Sequence, residues 1–121
     1  MIFHVIDDQL IICEYISELL ESFGHEALVF NSPIEYLKFL KDEGYASPAA
    51  VISDLSMPLM GGYEMIKRVQ MKYPDQRFII ISGKPNLQDE YKNSSFIFLN
   101  KPFGIKQFEA VLVSLSTQEA A

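Results

Sequence analysis

The sequence predicts a doubly wound α/β fold, a five-stranded parallel sheet with helices on both faces. Three observations lead there. Apolar runs of strand length alternate with segments of helical periodicity from one end of the chain to the other. The runs are almost continuously apolar, as strands buried on both faces should be. Turn and cap residues punctuate the boundaries. A chain of 121 residues with 49% hydrophobic and 21% charged side chains is expected to form one domain, residues 1–121, with a real core.

Taken in order, Ile2 to Ile6 read as the first strand. Ile12, Ile16, Leu19, Leu20 and Phe23 then recur at helical spacing, and Gly24 follows as a C-terminal cap. Ala27 to Phe30 form a second strand. Ser32 and Pro33 are an N-cap and a first helical residue, and Ile34, Leu37, Phe39 and Leu40 carry that helix toward Gly44. Ala49 to Ser53 make the third strand, and Gly62 to Lys72 the third helix, with Met65, Ile66 and Val69 inward. Phe78 to Ile81 and Phe96 to Leu99 are the fourth and fifth strands. Ile105, Phe108, Val111, Leu112 and Leu115 define a last helix, and "TQEAA" reads as a short polar tail. Between the fourth and fifth strands, "KPNLQDEYKNSS" offers only Leu87 and Tyr91 as anchors, so a fourth helix there is expected to be short or irregular.

Composition narrows the function. A net charge of −6 argues against a nucleic-acid surface over the whole domain, because phosphate attraction needs a basic face. No apolar run approaches the ~20 residues that span a membrane, and no signal peptide is visible. The single cysteine, Cys13, rules out an internal disulfide, and a reducing cytoplasm is the expected setting. His4, His25, Cys13 and the Met57, Met60 and Met65 group have ordinary packing roles as their simplest reading. Glu26-Ala27-Leu28 matches a cyclic-dinucleotide phosphodiesterase signature only by coincidence.

Folds of this kind bind ligands outside the carboxyl ends of their strands. Those ends carry Asp7-Asp8, Asp54, Ser82-Gly83 and Asn100-Lys101-Pro102. Each alone has a plain explanation as a cap, a turn or a solvated loop residue. Gathered on one edge they describe a chemistry. Like charges about 4 Å apart repel by about 4 kcal/mol at an effective dielectric near 20, so clustered carboxylates call for a cation. Oxygen ligands beside an open loop suit Mg²⁺. Lys101 and Ser82 can meet phosphate oxygens, and a carboxylate can accept a phosphoryl group.

With these residues in place, the sequence resembles the receiver domain of bacterial two-component response regulators, of the single-domain, chemotaxis-regulator type. The resemblance rests on Asp7-Asp8, on "SDLSMPLMGG" with Asp54, Met57, Pro58 and Gly62, on Ser82-Gly83, and on Lys101-Pro102-Phe103. It implies a flavodoxin-like strand order 2-1-3-4-5. It implies that Asp54 takes phosphate from a histidine kinase or histidine phosphotransfer protein. Mg²⁺ would be held by Asp8, Asp54 and the backbone carbonyl of Ser56, with Asp7 acting mainly through water. By the same resemblance Lys101 pairs with the phosphoryl group, Ser82 hydrogen-bonds it, Phe98 is the aromatic switch partner of Ser82, and Lys101–Pro102 is a candidate cis peptide. The segment Lys84 to Ser95 departs from the family pattern, which predicts a reshaped output face. Ser56 and Lys84 occupy positions that tune phosphoryl lifetime, and they push in opposite directions.

The expected function is therefore phosphorylation-dependent binding of a downstream protein. No direct nucleic-acid contact, no membrane insertion and no catalysis beyond self-phosphorylation and dephosphorylation are expected, and a phosphorylation-dependent homodimer is possible within the family. Three rivals stand beside it. A Mg²⁺-dependent aspartyl phosphatase wants a second Asp where Ser56 stands. A pseudo-receiver would bind partners without phosphorylation. The chain could also be the N-terminal receiver of a longer regulator.

Overall fold

The computed structural model describes residues 1–55, 61–83 and 96–120. The elements run β1 (Ile2–Ile6), α1 (Leu10–Ser22), β2 (Glu26–Phe30), α2 (Pro33–Leu40), β3 (Ala50–Asp54), α3 (Gly62–Lys72), β4 (Phe78–Ser82), β5 (Ile97–Asn100) and α4 (Ile105–Ala120). All strand pairs are parallel, in the order β2-β1-β3-β4-β5. The order reverses direction after β1, which creates a switch point between β1 and β3.

Strand alternation divides the core into two layers. Phe3, Val5, Ile52, Ile79 and Ile81 meet Ile16, Leu20, Phe108 and Leu112 of α1 and α4 on one face. Ile6, Val51, Phe78 and Ile80 meet Tyr36 of α2 and Met65, Ile66 and Val69 of α3 on the other. Val51 and Ile52 are neighbours in sequence and lie in different layers, as the two-residue period of a strand requires. Each fully buried side chain of this size stabilises the fold by about 1.5–3 kcal/mol.

Local signals set several boundaries. Gly24 adopts φ +84° just past α1, where a side chain would be strained. Ser32 caps α2 by accepting a hydrogen bond from the Glu35 N–H at 3.1 Å. Two expectations need correction, the end of α2 and the polar tail. The helix α2 ends at Leu40 and not near Gly44, because Asp42 turns the chain by accepting from the Gly44 N–H at 2.7 Å. Within α2 the deepest residue is Tyr36, fully buried, whereas Ile34 is 38% exposed. The polar "TQEAA" end is no tail up to Ala120: α4 continues through it, since no breaker intervenes and Gln, Glu and Ala favour helix. The expected fourth helix, between β4 and β5, lies outside the described residues, as do Met57 and Met60.

Tyr36 explains His4. The imidazole is 2% exposed, its Nδ1 lies 2.9 Å from the Tyr36 hydroxyl, and that hydroxyl lies 3.0 Å from the Tyr45 hydroxyl. Rings of Phe30, Tyr36, Phe39 and Tyr45 surround it edge-on. Burial pushes its pKa from 6.5 down to about 4, so it is a neutral core residue.

Candidate functional site

Because every strand runs the same way, the chain emerges from β1, β3, β4 and β5 along one edge. Ile6 pairs with Ser53, Asp54 with Ile81, and Ser82 with Asn100. That register brings Asp7, Asp54, Ser82 and Lys101 to the same edge within two residues of one another.

The centre of the site is a cation between carboxylates. Lys101 Nζ donates to Asp54 Oδ2 at 2.6 Å and stands 3.7 Å from Asp7 Oδ2. The Lys101 side chain is 23% exposed, the Asp54 side chain 12% and the Asp7 side chain 2%. Burial alone would lower the Lys101 pKa, but the Asp54 hydrogen bond and the charges of Asp54 and Asp7 outweigh it and hold the ammonium above its ordinary value. Asp7 is raised above the usual carboxylate range, first by burial, with help from the charges of Asp54 and Asp8. The Gln9 N–H and Lys101 oppose that rise.

Asp7 and Asp8 are chemically identical and placed differently. Asp7 is buried, and its Oδ1 accepts from the Gln9 N–H at 2.9 Å in an Asx turn. Asp8, one residue on, is exposed. The Cys13 thiol, itself buried, donates to the Asp7 carbonyl at 3.3 Å, and burial pushes its pKa up to about 11. Neither the Gln9 amide nor the Cys13 thiol was singled out as supporting the acidic turn. The only trace in sequence was an Asp two residues ahead of Gln9.

Ser82 ends β4 and is 7% exposed, and its carbonyl accepts from the Lys101 N–H at 2.8 Å. Phe98 is half-buried on β5 opposite Ile80. It packs against the α2–α3 layer that contains Ile80, so Phe98 and Ser82 share a sheet face on adjacent strands. The Lys101–Pro102 peptide is cis. Ser56 lies outside the described residues.

Does this edge suit Mg²⁺? Among the described residues no three His, Cys, Asp or Glu side chains form a group that could hold a metal ion. The donors present are oxygens, however, and Asp7 Oδ2 is buried with no hydrogen-bond partner. An octahedral ion that keeps most of its waters needs only one or two carboxylates. On these grounds the residues fit Mg²⁺.

Beside the acidic edge lies an apolar surface. Ile12, Tyr15, Pro102 and Phe103 line a hollow of about 390 Å³ that reaches Lys101. Leu10 and Ile11, at the start of α1, are 64% and 73% exposed.

Residues 3–113 match the response regulator receiver domain family. Among curated relatives, the DNA-binding transcriptional regulator NtrC of Escherichia coli K12 is 27% identical over 111 residues, 89% of this chain and 23% of that protein. The sensor kinase CckA of Brucella abortus is 31% identical over 93 residues, 73% of this chain and 10% of that protein. The chain thus spans less than a quarter of the length of these relatives. A response regulator receiver domain protein from Clostridium thermocellum superposes with TM-score 0.84 at 27% identity, covering 98% of this chain and 96% of that one. The chemotaxis protein CheY4 of Vibrio cholerae, at 23% identity and TM-score 0.80 over 94% of this chain and 97% of that one, shares the fold.

Proposed function

This chain belongs to the response regulator receiver domain family, and from that premise we propose that it accepts a phosphoryl group on Asp54 and signals by binding a protein when phosphorylated. The observation that carries the reading is the Asp54–Lys101 contact of 2.6 Å beside the buried, unsatisfied oxygen of Asp7. In the transfer, an Asp54 oxygen forms a bond to phosphorus while the donor's phosphorus–nitrogen bond breaks. The donor imidazole leaves with the electron pair and takes up a proton. Lys101 shifts its hydrogen bond from Asp54 to a phosphoryl oxygen as the negative charge moves outward. Mg²⁺, when bound by Asp8, Asp54 and the Ser56 carbonyl, with Asp7 acting through water, supplies neutralisation of the developing charge.

The Ser82 hydroxyl donates a hydrogen bond to a phosphoryl oxygen. Its displacement toward the group opens space on the shared sheet face for Phe98, which couples the site to the outer surface by population shift. The donor is a histidine kinase or histidine phosphotransfer protein. The exposed apolar start of α1, next to Lys101, offers it a docking surface. The domain performs no turnover of other substrates; hydrolysis of its own acyl phosphate resets it. We place it in the cytoplasm; among the described residues no helix is long and apolar enough to cross a membrane.

The test is intact mass after incubation with Mg²⁺ and acetyl phosphate. One added phosphoryl group, absent from Asp54→Asn, is the expected result. No addition under saturating donor overturns the reading in favour of a phosphorylation-independent interaction module.

A further inference from the structure

The opposite edge of the sheet has a property that phosphoacceptance does not use. β2 pairs with β1 alone, through five unbroken register positions. The Glu26 N–H donates to Met1 O, and Phe30 O accepts from the Asp7 N–H. Alternate residues therefore direct their backbone groups at β1, and the N–H and C=O of Ala27 and Val29 point away from the sheet. Among the described residues none makes a hydrogen bond to them. An exposed edge is ordinarily protected by lysine, proline or a bulge. Here Glu26–Phe30 has none of these, and Leu28 and Val29 are 45% and 41% exposed.

Charge selects the occupant. None of the first 37 residues is Lys or Arg, whereas seven are acidic. Glu21 and Glu26 are both exposed at this edge, and with Ile2, Ala27 and Leu28 they line a hollow of about 340 Å³ at its end. A second copy of the chain would set acid against acid. We infer that β2 accepts an added strand from a different protein, an extended segment that alternates apolar with basic side chains. Ala27 and Val29 would supply its backbone hydrogen bonds, Leu28 the contact for its apolar face, and Glu21, on the α1 side of the sheet, the charge partner for its basic face.

The probe is a short synthetic peptide of alternating valine and lysine, with an all-lysine peptide as a charge-only control. Expected results are at least about tenfold slower hydrogen exchange at the Ala27 and Val29 amides with the valine–lysine peptide, and about tenfold weaker binding to Val29→Pro. Proline at position 29 removes an outward N–H and no bond to β1. Should that variant fail to fold, Leu28→Lys places a like charge on the edge and must weaken binding comparably. Equal binding of the all-lysine peptide without protection at Ala27 and Val29 overturns the inference. So does protection of the same amides by concentration-dependent self-association in the absence of peptide.

Discussion

Replacing Lys101 with methionine tests the electrostatic account of the site most directly. At an effective dielectric of about 20, the contact of 2.6 Å with Asp54 is worth about 6 kcal/mol of gross attraction, and that of 3.7 Å with Asp7 about 4–5 kcal/mol. Most of this is offset by the cost of desolvating the ammonium, and the 23% exposure of the lysine screens the remainder. What the variant loses is the only cation holding Asp7 and Asp54 together among the described residues. The expected loss is about 1–3 kcal/mol at pH 7, since Asp7 is left as a buried, unpaired carboxylate. Urea unfolding measures it. Added Mg²⁺ should restore more stability to Lys101→Met than to the parent, because the ion meets uncompensated carboxylates there. A variant within about 0.3 kcal/mol of the parent, or one on which Mg²⁺ has no larger effect, refutes the reasoning.

Asp7→Asn should move the other way. A carboxyl raised by burial costs stability once it ionises, so the variant gains stability in urea unfolding at pH 7 while its Mg²⁺ affinity falls. His4 makes the fold acid-sensitive through the opposite displacement. Its pKa is lowered from 6.5 to about 4, so its contribution is complete above pH 6.5 and is lost as pH falls toward 4, by at most about 3 kcal/mol. His4→Gln should flatten that part of the stability profile between pH 7 and 4. Ile11→Glu, at a position 73% exposed, should slow phosphotransfer from a phosphohistidine donor by about tenfold or more and leave acetyl phosphate labelling unchanged. Equal loss with both donors would remove α1 from the docking surface.

Most of the fold was legible because its determinants are local. The periods of 2 and 3.6, Ser32-Pro33 before α2 and Gly24 after α1 are read within a few residues of one another. What failed locally was decided by packing. Ile34 and Tyr36 both fit a helix, and the hydrogen bonds of Tyr36 to His4 and Tyr45 draw it, not Ile34, into the core. The open β2 edge was legible only through the strand order the family resemblance implied, since an edge strand and a central one carry similar apolar runs.

By itself the sequence determined the chemistry available at the carboxyl edge: carboxylates at 7, 8 and 54, a hydroxyl at 82 and an ammonium at 101. The shared edge follows from the parallel crossovers the alternation demands, whereas the strand order was implied by the resemblance to the receiver family. Only the tertiary structure decided how those groups divide the work. Asp7 and Asp8 differ by nothing in composition, yet one is buried against Lys101 and the other faces solvent. Lys101 reaches Asp54 across 47 residues of chain, because β3, β4 and β5 stack in a fixed register. Burial and long-range distance are properties of the packed sheet, and no local pattern encodes them.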